Sequence, residues 1–270
     1  MVKVVVAGAA GRMGGRVLHI MGAHSEIQVA GALEKKGHPA VGQDLGILIA
    51  PALSGIMVED DLGKILPGAD VVVSFAVPEA SVEHLRVAAQ LGKAAVIGTT
   101  GFSESQMEAA RDFCRRARCV LSPNLSVGVN IMYKVLADVA RALGDDYDVE
   151  IVEIHHRMKK DAPSGTADKM AQVIASALGR DLKEVGIYQR HGLIGERPAR
   201  AIGIQTLRAG DIVGEHTVIF GGMGERLEII HRAHSRDNFA QGAVRAALWV
   251  VNQPNGLYDM MDVLGLKVQG

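Results

Sequence analysis

A parallel, doubly wound α/β sheet followed by a second α+β domain with a mixed sheet is the fold this sequence predicts. Three observations predict it. An apolar run, Val2 to Ala7, breaks into the glycine-spaced turn Gly8-Ala9-Ala10-Gly11-Arg12-Met13-Gly14. Strand-like and helix-like segments then alternate as far as about residue 125, and further strand patterns follow one another directly between residues 201 and 233. Alternation builds a parallel sheet covered by helices, whereas consecutive strands build a mixed one with helices on one face.

Composition sets the outer limits. A chain of 270 residues with 48% hydrophobic content has enough apolar surface for two cores. The expected division is a dinucleotide-binding domain of residues 1–126 and 236–270 around a substrate-binding and oligomerisation domain of residues 127–235. A formal net charge of −1 gives no global basic field, which argues against nucleic acid and anionic membranes as partners. The two cysteines, Cys114 and Cys119, fit neither a metal knuckle nor a disulfide framework and read as packing residues. No signal-like or membrane-length apolar run is present, and the expectation is a cytoplasmic protein.

The elements follow in order. Val2 to Ala7 is a strand, and Gly8, Gly11 and Gly14 let the backbone turn sharply and approach a pyrophosphate resting on the next helix N-terminus. A second strand, Ile27 to Leu33, ends on Glu34 about 20 residues after the last glycine, where such folds place a carboxylate on the adenosine ribose. Lys35 follows and suits a 2′-phosphate, so the pair predicts tolerance of both NADH and NADPH. Ala69 to Phe75 is a strand and Ser81 to Leu91 a helix closed by Gly92. Strands then lead into Gly98-Thr99-Thr100 and, after Cys119 to Leu121, into Ser122-Pro123-Asn124-Leu125, both at carboxyl ends where ligands gather. Between them Ser103 and Gln106 form a capping box for a helix through Arg118.

Val127 to Leu143 reads as a long helix. Strands are expected at Glu153 to Arg157, Ala201 to Leu207, Glu215 to Phe220 and Arg226 to Ala233, and an amphipathic helix at Ser235 to Val251 returns to the first domain. Arg208, Arg232, Arg236, His231 and His234 gather charge near these strand ends, where some of them are candidates for holding a carboxylate. An unpaired strand edge in the second domain offers a route to self-association.

The most informative stretch runs from Glu153 through His155-His156-Arg157-Met158-Lys159-Lys160 to Ser164-Gly165-Thr166-Ala167. A strand ends, cations follow, and a helix begins on hydroxyls and open backbone N–H groups that attract negative charge. Imidazole exchanges protons near neutrality, and lysine supplies both a cation and a proton. Adjacent strand residues point to opposite faces, so His155 and His156 share a site only if the strand ends beside them. For the same reason they make a poor zinc pair, and no third ligand has suitable spacing; the expectation is no metal. The stretch predicts a site for a small dicarboxylate.

Taken together, Gly8 to Gly14, Gly98-Thr99-Thr100-Gly101-Phe102, Asn124 to Asn130 and Glu153 to Ala167 closely resemble the dihydrodipicolinate reductase (4-hydroxy-tetrahydrodipicolinate reductase) family of lysine and diaminopimelate biosynthesis. The likeness continues through Arg208 to His216, Gly224 to Glu228 and Gly242 to Trp249. It implies an NAD(P)H-dependent reductase, a Rossmann-like first domain and a homotetramer. By matching position it implies His155 as general acid/base, Lys159 as proton donor, and His156, Gly165 and Thr166 as substrate contacts. Cofactor contacts are implied at Gly8, Ala9, Ala10, Gly11, Arg12, Met13, Glu34, Lys35, Gly98, Thr99, Thr100, Ser122, Pro123, Asn124 and Leu125. Val77, Met158 and Leu125 depart from the family pattern, and Val77 removes a basic group that would favour NADPH. Two rival readings are another NAD(P)-dependent dehydrogenase and a non-catalytic dinucleotide sensor. Neither has a use for paired proton donors beside an anion pocket.

Overall fold

A computed structural model describes residues 1–267, which divide into two compact units: residues 1–127 with 236–267, and residues 128–235. In the first, strands β1 (Val2–Ala7), β2 (Ile27–Leu33), β3 (Val58–Glu59), β4 (Val71–Ser74), β5 (Ala94–Ile97) and β6 (Arg118–Leu121) join β12 (Gly256–Tyr258). They form a parallel sheet in the order β12-β6-β5-β4-β1-β2-β3. The order reverses between β1 and β4, where a doubly wound sheet opens a crevice at its carboxyl ends.

Helices α1 (Arg12–Gly22), α2 (Leu45–Leu48), α3 (Leu62–Ile65), α4 (Pro78–Gln90), α5 (Glu104–Phe113), α9 (Asp237–Val250) and α10 (Met260–Val263) complete this unit. One core joins α1 and α9 to the sheet through Val17, Leu18, Ala243 and Ala247, and a second gathers Leu85, Ala88 and Ala110 on α4 and α5. Helix α4 begins three residues before the expected Ser81, because Pro78 at its first position lacks only an N–H that would have no helical partner anyway. Helix α5 has the predicted capping box but stops at Phe113, five residues short of Arg118, where the chain turns into β6. Strands β3 and β12 were not expected; two or three residues carry too little periodicity to read.

The second unit holds β7 (Asp148–His155), β8 (Gly186–Ile187), β9 (Ile202–Arg208), β10 (Gly214–Gly221) and β11 (Arg226–Ala233), in the order β11-β10-β7-β9-β8. Parallel pairs β7/β9 and β8/β9 meet antiparallel pairs β7/β10 and β10/β11, the mixed sheet expected, with one more short strand. Helices α6 (Val127–Leu143) and α7 (Gly165–Ala177) cover one face with Met132, Leu136, Met170 and Ile174 against Ile151, Ile204 and Phe220; a short α8 (Leu182–Val185) follows. Along β7, Val149, Ile151, Glu153 and His155 are buried and the residues between them are not. Two-residue periodicity therefore sends a carboxylate and an imidazole toward the helix-covered side.

Candidate active site

In the first unit the turn after β1 is built for close approach. Gly8 adopts φ +78°, and a Cβ there would lie 2.7 Å from the Phe75 carbonyl oxygen. A Cβ at Gly14 would lie 1.9 Å from the Gly8 oxygen, so only glycine lets α1 sit against the turn. Glu34, at the end of β2, accepts the Ala10 N–H at 2.9 Å and that of Lys35 at 3.2 Å. These groups frame a cleft of about 470 Å³ lined by Gly8, Ala10, Gly11, Glu34 and Lys35 of the predicted set. Its lining also includes Phe75 and Val77 after β4, and His38, Asp60 and His84. A glycine turn without side chains, a carboxylate and a cation around a cleft of this size fit a dinucleotide.

The other predicted cofactor residues lie outside that lining. Ala9 is buried, and the Leu125 side chain belongs to the α1/α9 core, which leaves its backbone as the part a ligand could meet. Thr99 is turned inward: its hydroxyl donates to the Ala76 carbonyl at 3.0 Å. That fixes a chain of hydrogen bonds, because a carbonyl only accepts. Ser81 Oγ donates to Thr99 (2.6 Å), Ser74 Oγ to Ser81 (3.3 Å), and His84 Nδ1–H to Ser74 (2.9 Å). Burial pushes the His84 pKa down to about 4 against the opposing pull of Glu83, so the ring is neutral near pH 7 and, with the hydrogen on Nδ1, leaves Nε2 as an acceptor. Sequence reading missed His84; its place on the inner face of α4, three residues after Ser81, was the available signal. Ser122 donates to the Asn124 carbonyl at 2.8 Å, while Thr100 and Pro123 are exposed at the carboxyl ends of β5 and β6.

In the second unit β7 ends at His155, so the chain turns before His156 would point to the opposite face. His155 is 9% exposed and its Nδ1 lies 2.5 Å from Glu153 Oε2. Glu153 is fully buried and also takes the Ser164 N–H (3.0 Å), Thr206 Oγ1 (3.2 Å) and both Nη atoms of Arg208 (2.9 Å each). Burial alone would raise this carboxyl; the hydrogen bonds from His155, Arg208 and Ser164 outweigh it and hold it near 2. Arg208 also donates to the Leu207 and Asp161 carbonyls, each at 2.6 Å, and Arg232 faces Glu215 at 3.1 Å.

Lys159 extends from the turn after β7 with its Nζ 2.9 Å from both Asp161 oxygens. Helix α7 starts at Gly165, with Ser164 as its N-cap: Ser164 Oγ accepts the Ala167 N–H and meets His216 Nε2, each at 3.2 Å. Gly165 is exposed in the first turn beside Thr166. His216, 4% exposed, packs edge-on against His155 at 5.2 Å between centroids, with His231 6.4 Å behind it. Burial, then the proximity of His155, pushes His216 down to about 3, so it is neutral. Replacing Ser164 by Ala removes both the cap and the partner of His216. We expect unit 2 to lose about 1 kcal/mol, read from amide exchange in α7; unchanged exchange would show the cap to be idle.

Among the described residues no group of three or more His, Cys, Asp and Glu is placed to hold a metal ion, and no helix is long and apolar enough to cross a membrane.

Comparison with known proteins matches residues 2–125 to the family pattern described as dihydrodipicolinate reductase, N-terminus, and residues 128–264 to its C-terminus. A 4-hydroxy-tetrahydrodipicolinate reductase of Syntrophus aciditrophicus (strain SB) is 59% identical over 99% of this chain and all of that protein. One of Syntrophobacter fumaroxidans is 57% identical with the same coverage. Among solved structures, a dipicolinate-bound dihydrodipicolinate reductase from Paenisporosarcina sp. TG-14 superposes with a TM-score of 0.77 at 26% identity, covering 97% of this chain and 98% of that one.

Proposed function

Because the chain belongs to the dihydrodipicolinate reductase family, we propose a division of labour for its residues in that family's reaction. The chain is an NAD(P)H-dependent oxidoreductase that reduces 4-hydroxy-tetrahydrodipicolinate to tetrahydrodipicolinate in lysine and diaminopimelate biosynthesis. When bound, the nicotinamide supplies the hydride.

The Gly8–Met13 turn receives the pyrophosphate of that cofactor, Glu34 the ribose hydroxyls and Lys35 a 2′-phosphate, so both NADH and NADPH serve. Gly98 to Thr100 and Ser122 to Leu125 contribute their backbones and exposed positions at the strand ends. In the second unit Gly165, Thr166 and the α7 N-terminus hold a substrate carboxylate, with His156 beside them. His155 moves a proton at Nε2, and Lys159 donates one to the substrate as the hydroxyl leaves as water.

The observation that carries this reading is the gathering of His155, Lys159 and the α7 N-terminus at the carboxyl end of β7, linked through Glu153 and Ser164. A homotetramer is supported by the sheet face that no helix of this unit covers, where Leu207 and Ile230 are 44% and 43% exposed beside Val152, Ile154 and Ile219. The family's biosynthetic role and two buried thiols, Cys114 and Cys119, support a cytoplasmic setting.

The test follows NADPH oxidation with the condensation product of pyruvate and aspartate semialdehyde. His155→Gln should lower kcat by about 100-fold or more with little change in KM. Lys159→Ala should lower kcat and raise KM, since one cation both binds and donates. Wild-type kinetics in either variant would remove that residue from the assignment.

A further inference from the structure

Resting on the assignment of His155 above, we infer that Glu153 is the positioning residue for His155: its carboxylate fixes the imidazole as the Nδ1–H tautomer and leaves Nε2 as the atom that exchanges a proton with substrate.

The geometry allows one direction for the bond. Oε2 of Glu153 receives His155 Nδ1 and Arg208 Nη1; Oε1 receives the Ser164 N–H, Thr206 Oγ1 and Arg208 Nη2. An ionised carboxylate only accepts, so Nδ1 carries the hydrogen. The carboxylate itself cannot swing away, because four of its five partners come from β9 and the start of α7, and in-register pairing of β7 with β9 sets Glu153 opposite Thr206 and His155 opposite Arg208. Its charge also balances the ring's when Nε2 is protonated. This is the orienting role that carboxylates play for imidazoles in other proton-transfer sites.

The opposite side of the ring has been kept open. A Cβ at Gly214 would lie 2.9 Å from Nε2, so the bare backbone at the start of β10 is what keeps that nitrogen approachable. The other groups facing the pair are neutral His216 with His231 behind it, and two cations, Arg208 on the Glu153 carboxylate and Lys159, whose charge is felt as far as His216. None of them offers Nδ1 an alternative acceptor. A purely structural ion pair between Glu153 and Arg208 would need no bond to His155, and such pairs are often replaceable by apolar residues without loss.

The test begins with the unaltered enzyme. Long-range 15N NMR of the histidine rings, with the His155 signals identified by their loss in H155Q, should show neutral His155 protonated on Nδ1; a hydrogen on Nε2 overturns the inference. E153Q should then turn the ring. The amide nitrogen meets two donors at the Oε2 position and three at Oε1, so it takes the former and presents an N–H to Nδ1. The ring becomes Nε2–H, and kcat should fall by about 100-fold or more while KM for NADPH stays within about two-fold. Gly214→Ala should also lower kcat, with the His155 tautomer unchanged, because it caps Nε2 and leaves Glu153 in place. Wild-type turnover in E153Q, or in Gly214→Ala, defeats the inference while leaving His155 as the proton carrier if H155Q is inactive. Wild-type turnover in H155Q defeats the assignment beneath it. Should E153Q fail to fold, the spectrum of the unaltered enzyme and the Gly214→Ala kinetics still decide.

Discussion

Gly14→Ala should abolish dinucleotide binding and cost the first unit on the order of 3 kcal/mol or more. The added carbon would stand 1.9 Å from the Gly8 oxygen and 2.6 Å from its carbonyl carbon, and both obstacles are backbone, with no rotamer to escape into. Either α1 moves off β1 or the turn opens, and both destroy the pyrophosphate seat proposed for this turn. The adjacent residue supplies the control. A Cβ at Gly15 would meet the mobile tip of Ile49 at 3.3 Å, and alanine there gains about 0.5–1 kcal/mol of helix propensity. Trp249, the sole tryptophan, lies on α9 in this unit with its ring 5.1 Å from Tyr258. Its fluorescence therefore reports this unit's unfolding in urea. Equal stability and equal NADPH affinity in Gly14→Ala and Gly15→Ala would refute the packing argument.

Acid should destabilise both units well before ordinary surface carboxylates titrate. His216 is held neutral down to about pH 3 by burial and by its neighbour His155, and His84 to about pH 4 by burial. Unfolding restores both rings to an ordinary imidazole value near 6.5. The unfolded chain then binds the extra protons, and stability present above pH 6.5 is lost as pH falls from 6.5 toward the folded values. Each ring should remove roughly 2–3 kcal/mol between pH 6.5 and 4.5. Glu153 adds a second loss in unit 2 at lower pH: its folded value near 2 lies below the unfolded one of 4.5, so its contribution is present above 4.5 and disappears on descent toward 2. Urea titrations at pH 7 and 4.5, read from Trp249 for unit 1 and from amide exchange in β7 and β10 for unit 2, measure both. His216→Gln should flatten the pH response of unit 2 alone. A response unchanged in that variant would mean that another group carries it.

How much of this was legible in the chain depended on whether a feature is local. Strands β1 and β2 fall on Val2–Ala7 and Ile27–Leu33 as read, because an unbroken apolar run beside a glycine turn needs no partner to be recognised. The Ser103–Gln106 box was legible for the same reason. What escaped depends on register. Glu153 looked like the start of a strand; the role inferred for it rests on sharing a face with His155 and on the pairing that brings Arg208 and Thr206 opposite. The i, i+2 spacing of Glu153 and His155 was visible, but the identity of their cross-strand neighbours was not. His216 is invisible on similar grounds, since it meets Ser164 from 52 residues away. Strand β12 is three residues long and gains its meaning only from the edge of β6 to which it adds.

That late strand bears on how the polypeptide matures. The first sheet is begun by residue 2 and lacks its outermost strand until Gly256–Tyr258 emerges, while α9, which fills the core beside α1, is made only after the whole of the inserted unit. During synthesis the inserted β7–β11 sheet is therefore complete while the nucleotide fold around it still exposes the groove reserved for Ala240, Ala243 and Ala247. A chain ended at residue 235 and released from the ribosome would hold every strand of the inserted unit while lacking α9 and β12 of the unit around it, and loss of Gly256–Tyr258 would damage the half of the molecule that was started first.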